Sequence, residues 1–441
     1  MAILNRLKAA FTRLVSGYRR LAPRAVASSP ADLLYPVSSP MANNEVVGLS
    51  LMDIPEHLLT EIFLRLATIE DLARVSAACT EFRRLVTDRS FLRCVLGVHT
   101  PQFLVLLEEG GGFHPAQPPH PSTAAAHALT FKADFTFSFV PSPHRRPGYW
   151  FVQDIRDGRV LLRYAPWGNH RRESTDLAVC DPLHRRYIML PAVPQELAAL
   201  VAHQDMVNNP WCEPFLGVPL IVGEDVDVGT SFNVIWVAHY QTAWKTAVAA
   251  AFIFSSGTGK WKSVGEFTMV SLIQYTFSRR HYAYGCFFWE LNKINKELLM
   301  LDTRSMEFST VDLPPGEWTM NIAIVEAGEG SLGMFGIRDE TGGDLCFYIR
   351  RNKGHSSAQW HMEKTISLAS GYRHYIKAAT ERYLLLAKCG DPWCVPDEEC
   401  ISIDVNTFQL ERFCVKPFEF AKNGAHIYTN FPPSLLSAPK I

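Results

Sequence analysis

The chain reads as an α+β multidomain protein, a small N-terminal helical bundle followed by an all-β propeller of about six blades. Three observations predict it. From Asp53 to Leu96, short capped segments carry apolar residues at helical spacing. From Phe131 onward, strand signals alternate with turn residues and helical periodicity is scarce. Within that second region an apolar strand, a polar turn and an aromatic-bearing strand recur roughly every fifty residues, a spacing suited to stacked blades.

The first helix is signalled by Asp53 as a cap, Pro55 with its preset φ, and Glu56 completing an Asp-x-x-Glu box. Leu58, Leu59, Ile62, Phe63 and Leu66 then recur at three and four residues, building one apolar stripe. Thr68 and Asp71 open a second helix bearing Leu72, Val75 and Cys79. A third runs through Phe82, Leu85 and Val86, and Asp88 is placed to cap a short turn with Phe91 and Leu92. Three such helices carry more apolar side chains than so small a bundle is expected to bury, which implies a partner protein.

This segment resembles the F-box, the module by which substrate receptors join Skp, cullin and F-box (SCF) ubiquitin ligases. The matching residues are Ile54-Pro55, Leu58-Leu59, Ile62-Phe63, Leu66, Leu72, Cys79 and Ser90-Phe91-Leu92, while Phe82 stands where many members have Trp and Thr80-Glu81 replaces the commoner Lys-Ser. The resemblance implies that Ile54, Pro55, Leu58, Leu59, Ile62, Phe63, Leu66, Leu72, Val75, Cys79 and Phe82 bind a Skp adaptor and, through it, a cullin scaffold. It implies work in the cytoplasm or nucleus.

With 441 residues, 47% hydrophobic and 20% charged, the chain is long enough for more than one core. A formal charge of -1 gives no general attraction to nucleic acid, and no apolar run approaches the roughly 18 residues of a membrane span. The ten cysteines form no regular framework, which points to a reducing compartment. Cys389, Cys394 and Cys400 cluster without a common zinc spacing, and His374 is the nearest upstream His, so neither metal nor other cofactor is expected. Residues 1–48 form a basic extension, with Ile3, Leu4, Leu7, Phe11 and Leu14 at helical spacing among Arg6, Lys8, Arg13, Arg19 and Arg20. Residues 1–30 also fit an organelle import segment, the alternative to a solvated or partner-binding arm.

The expected division is an F-box-like helical domain over 49–97, a linker over 98–130 and a propeller over 131–437. Gly110-Gly111-Gly112 and a Pro-, His- and Ala-rich run suggest the linker, in which His114, His120 and His127 lack a frame for metal ligation. Phe131, Phe135, Phe137 and Phe139 suggest the first strand. The cadence runs through Leu177–Pro191, Phe252–Trp261 and Leu298–Pro314, and in weaker form through Cys346–Trp360 and Ile401–Phe413, marked by Trp261, Phe308, Trp360 and Phe408. Tyr187 to Trp261 spans about one and a half periods, and Pro194 to Pro219 is the candidate insertion. The segments around Cys180-Asp181-Pro182 and Leu301-Asp302-Thr303 resemble the kelch-like, F-box-associated propellers of the large plant F-box family.

Loops rich in Arg and His supply the candidate target-binding rim: Arg145, Arg146, Arg171, Arg172, Arg279 and Arg280, with His184-Arg185-Arg186 in a turn of the repeat itself. Such a rim suits an acidic or phosphorylated peptide. Catalysis has little support. Gly257-Thr258-Gly259-Lys260 is an incomplete phosphate loop followed by Trp261, and the acids at Glu224, Asp225 and Asp227 and at Asp397, Glu398 and Glu399 are consecutive loop charges. The expected function is a non-catalytic ligase receptor for an unknown protein target. A propeller that binds a ligand or scaffolds a complex without a ligase is the alternative, and a propeller enzyme the more distant one.

Overall fold

The computed structural model describes residues 54–66, 69–88, 91, 95, 103–108, 112–143, 147–156, 158–167, 176–194, 212–217, 232–243, 246–270, 280–291, 297–316, 318, 322–328, 330–338, 343–351, 359–380, 382–390, 397–417 and 425–429. The chain divides into two compact units near residue 100.

In the first unit, α1 (Glu56–Leu64), α2 (Ile69–Ser76) and α3 (Thr80–Val86) form the expected helices. Pro55 itself is the N-cap of α1, with φ -54 and ψ 142 and no side-chain cap bond. Glu56 pairs with Arg84 of α3 at 2.8 Å. Asp53 and Thr68 lie outside the described residues. Cys79 caps α3, its thiol accepting the Phe82 N–H at 3.4 Å. Asp88 does cap the turn that follows, its Oδ1 accepting from the Phe91 N–H at 3.4 Å. Phe82 meets Phe63 edge to face at 5.1 Å, so the residue that replaces Trp packs in the core.

The second unit is a six-bladed β-propeller. Two short strands come first, β1 (Val105–Glu108) and β2 (Phe113–Pro115), then a helix, α4 (Thr123–Lys132). Five antiparallel four-stranded blades follow in chain order: β3 (Gly148–Arg156), β4 (Arg159–Pro166), β5 (Leu177–Asp181) and β6 (Arg186–Met189); β7 (Cys212–Gly217), β8 (Asn233–Ala243), β9 (Thr246–Ser255) and β10 (Lys260–Val270); β11 (Arg280–Ala283), β12 (Cys286–Leu291), β13 (Glu297–Asp302) and β14 (Glu307–Asp312); β15 (Ile322–Glu326), β16 (Leu332–Ile337), β17 (Leu345–Arg351) and β18 (Gln359–Ile366); β19 (Arg373–Ala379), β20 (Tyr383–Cys389), β21 (Asp397–Asp404) and β22 (Leu410–Pro417). The sixth sheet closes the ring. Its order is β2-β1-β23, so the last strand, β23 (Ala425–Tyr428), pairs with β1 in the register Leu106↔Ile427. Both ends of the unit thereby share one blade, which removes an open sheet edge.

The cadence is the outer hairpin of each four-stranded blade. Trp261, Phe308 and Trp360 lie on the fourth strands β10, β14 and β18, and Phe408 sits in the turn that enters β22. In three of these hairpins an aspartate anchors the turn. Asp302 and Asp404 each accept backbone N–H bonds on their carboxylates, and Asp181 does the same for Leu183 and His184. The residue that ends the turn takes a left-handed conformation, with φ 53 at Arg185, 58 at Met306, 58 at Phe408 and 66 at Gly259. Tryptophans then staple neighbouring blades, the Trp261 indole donating to the Pro191 carbonyl at 2.7 Å and that of Trp360 to the Asp312 carbonyl at 2.6 Å. Leu190-Pro191 thus receives the next blade's indole directly, and in the third blade the acceptor is Asp312, just before Leu313-Pro314.

Three expectations need correction. The segment 98–130 is not a linker, because it supplies β1, β2 and most of α4, and the second unit begins near residue 101 rather than 131. Gln117 is stitched to β22, its N–H donating to the Phe413 carbonyl at 2.8 Å and its Oε1 accepting from the Val415 N–H at 3.1 Å. Phe131 belongs to α4 and is 77% exposed, while Phe135 and Phe137 are buried in turns, so their alternation is not a strand. The proposed insertion contains β7, an inner strand of the second blade. The surplus length falls in residues 195–211 and 218–231, outside the described residues.

A buried ionic network ties the closing blade to its neighbour. Lys416 of β22, its side chain 1% exposed, lies 2.6 Å from Glu108 of β1 and 3.7 Å from Glu398 of β21, which meets Lys377 of β19 at 3.1 Å. Burial alone would raise the Glu108 carboxyl. Hydrogen bonds from His114 and Lys416, with the Lys416 charge, outweigh it and draw the group down to about 2.

Candidate functional site

The helical unit sorts the eleven expected adaptor-binding residues into two groups. Leu59, Ile62, Phe63, Leu66, Leu72, Val75 and Phe82 are buried within the chain, Phe63 fully so. They form the core that holds three short helices together, so they are corrected from contact residues to core residues. A stripe at spacings of three and four is what closes a bundle on itself, and it leaves little over for a partner. Ile54, Leu58 and Cys79 are half-buried and Pro55 is exposed, so the apolar surface left at the helix entry is small and local. The Arg84–Glu56 ion pair sits beside it.

Of the six expected rim arginines, Arg145, Arg146, Arg171, Arg172 and Arg279 lie outside the described residues. Arg280 is not a rim residue. Its side chain, 9% exposed, meets Asp154 at 3.0 Å and lies over the Phe215 ring at 4.7 Å. The other Asp154 oxygen accepts the Leu216 N–H at 2.8 Å. One carboxylate therefore braces β3, β7 and β11, the inner strands of three consecutive blades, because a buried guanidinium needs both a carboxylate and a polarisable face. His426 of β23 stands near the same pair. Burial, the largest influence, pushes its imidazole down to about 4 against the opposing pull of Asp154, so the ring is neutral near pH 7. Sequence reasoning missed this group because its members come from strands far apart in the chain and each looks ordinary alone.

Residues 51–96 match the F-box-like family. The helical unit thus carries an F-box-like domain, and the buried stripe is its core. No curated protein matches the chain. Among solved structures the chain is similar to the SapL1 lectin in complex with alpha methyl fucoside, at 9% identity and a TM-score of 0.36 over 72% of this chain and 98% of that one. It is also similar to an oligogalacturonate lyase in complex with manganese, at 10% identity and a TM-score of 0.32 over 60% of this chain. A third likeness is to YjhT, at 11% identity and a TM-score of 0.34 over 62% of this chain and 86% of that one. The chain spans 63% of the length of the lyase. Nothing about ligands or activity is drawn from these likenesses.

Constellations that resemble catalytic ones are wired otherwise. His120 Nε2 lies 3.2 Å from the Ser402 hydroxyl and 3.7 Å from Glu411, a serine–histidine–acid juxtaposition. However, His120 Nδ1 accepts the Ser122 N–H at 3.2 Å, so in the neutral ring Nε2 carries the proton and cannot take one from Ser402. Both residues are also buried. His114 instead pairs with Glu108 at 3.5 Å, and His127 packs on Phe131 at 4.7 Å. Lys260 enters β10 after the Gly257-Thr258-Gly259 turn. Glu398 and Glu399 belong to separate pairs, with Lys377 and Lys388. Among the described residues no three His, Cys, Asp or Glu side chains gather as a metal site, and no helix is long and apolar enough to cross a membrane. Cys394, Glu224, Asp225 and Asp227 lie outside the described residues.

Proposed function

We propose that the chain is the substrate-recognition subunit of an SCF ubiquitin ligase, its F-box-like domain binding a Skp adaptor and its propeller holding a protein target. The observation that carries this reading is the F-box-like match over residues 51–96. Ile54, Pro55 and Leu58 give the bundle an apolar entry that is not covered by its own core. Completing the burial of three such side chains is worth about 3–6 kcal/mol gross, so polar contacts around them must share the affinity. The adaptor brings the cullin scaffold. This chain then contributes proximity between a target lysine and a charged conjugating enzyme, and no nucleophile of its own.

The target would dock on the rim where the inner strands begin. There the Trp167 N–H donates to the Pro147 carbonyl at 3.0 Å, joining the two strand ends that adjoin the Arg145-Arg146 and Arg171-Arg172 pairs in the sequence. Trp167 is 70% exposed, and an exposed Trp with arginines close to it in the sequence suits an acidic or phosphorylated peptide. The Asp-anchored turns support kelch-like kinship and, with it, a plant F-box receptor of cytoplasm or nucleus. Titration calorimetry of the purified chain with a Skp adaptor tests the first step. A dissociation constant below about 1 μM supports it, and no heat of binding at tens of micromolar removes it.

A further inference from the structure

α3 ends in the sequence Arg83-Arg84-Leu85-Val86-Thr87, which places arginine three and four residues before an exposed hydroxyl. Thr87 is the C-cap of α3, with φ -93 and ψ -2. Its Oγ1 donates to the Arg83 carbonyl at 2.7 Å and lies 3.3 Å from that of Arg84. Arg84, one turn back on the same face, pairs with Glu56 at 2.8 Å and so ties α3 to the start of α1. Glu56 stands between Pro55 and Leu58, within the apolar entry assigned above to the adaptor. The next residue, Asp88, uses its carboxylate to cap the Phe91 N–H.

We propose that Thr87 is a phosphorylation site for a basophilic serine/threonine kinase, and that the phosphate releases the adaptor by untying α3 from α1. This rests on the adaptor reading above. In the transfer, a bond forms between Thr87 Oγ1 and the γ-phosphorus of ATP while the bridging bond to the β-phosphate breaks. ADP leaves, and the hydroxyl proton passes to the kinase's base. The ester oxygen no longer donates to the Arg83 and Arg84 carbonyls. About 1.5 to 2 negative charges arrive at the helix end where the macrodipole is already negative, beside Asp88. The guanidinium of Arg84, three residues before Thr87, holds α1 through Glu56, and a phosphate binds it more strongly than the exposed carboxylate of Glu56 does. The tie to α1 is lost at the adaptor face.

The test treats the full-length chain with ATP, magnesium and a calmodulin-dependent kinase, which selects arginine three residues before its acceptor, alongside Thr87→Val as the control. Peptide mass spectrometry should place a phosphate on Thr87 that the variant lacks. Phosphorylated wild-type should bind a Skp adaptor at least tenfold more weakly than untreated wild-type, while kinase-treated Thr87→Val should match the untreated protein. Absence of phosphate on Thr87, or equal affinity in both states, overturns the inference and leaves the adaptor reading standing. A chain that binds adaptor in neither state overturns both.

Discussion

Lys416→Met removes the ammonium shared by Glu108 and Glu398 where the ring closes. Breaking a buried ion pair from one side costs about 3–5 kcal/mol when the other charge is left alone. Here each carboxylate keeps a second partner, His114 at 3.5 Å and Lys377 at 3.1 Å, which lowers the expectation to about 2–3 kcal/mol. A second route gives a similar figure. Moving a carboxyl from 4.5 to about 2 corresponds to roughly 3 kcal/mol by linkage, less about a third for screening at a side chain 12% exposed. A double-mutant cycle of Lys416→Met with Glu108→Gln, followed by urea unfolding with tryptophan fluorescence at pH 7, should give a coupling of about 2 kcal/mol. The sign of the pH dependence is fixed. Because the folded-state value lies below the unfolded one, the stabilisation is complete above about pH 5 and is lost as pH falls towards 2. A coupling under about 0.5 kcal/mol, or one unchanged between pH 7 and pH 3, would refute the role given to this network.

Three further expectations rest on single side chains. Phe63→Ala empties a fully buried aromatic site and should cost about 3–5 kcal/mol, enough to abolish cooperative melting of the helical unit by circular dichroism while the propeller transition remains. Arg185→Gly, at φ 53 on an exposed turn, should stabilise the propeller by up to about 1 kcal/mol in denaturant unfolding, and a loss of stability would show that the left-handed turn carries no strain. Trp360→Phe deletes the indole bond to the Asp312 carbonyl and should lower the propeller Tm by roughly 2 °C, whereas an unchanged Tm would mean the staple between blades contributes nothing.

The sequence makes locally determined features legible and leaves non-local ones obscure. The outer hairpins could be read because Asp181, Asp302 and Asp404 fix their turns by side-chain chemistry within a few residues. The closing blade could not, since β1 and β23 find each other only once the ring is built. α4 escaped notice because Thr123 to Lys132 is helical through alanine content rather than through an apolar stripe. Surplus length between Tyr187 and Trp261 is visible, but a strand as short as β7 carries too few residues to show a period and so reads as part of the surplus. In the F-box-like domain, periodicity identified the right side chains but could not tell a stripe that meets its own bundle from one that meets a partner. Arg280 shows the same limit, since charge in a loop-like sequence gave no hint of Asp154 across the blades.

Adaptor binding by Leu58→Asp, compared with wild-type in the same calorimeter, probes the central claim with the least ambiguity. Leu58 is half-buried at the helix entry, whereas its neighbour Leu59 is 7% exposed and a charge there would unfold the bundle. The account predicts tight binding by wild-type, at least a hundredfold loss in Leu58→Asp, and superimposable melting curves for the two proteins. Equal affinity of the two for the adaptor, with both fully folded, would contradict it.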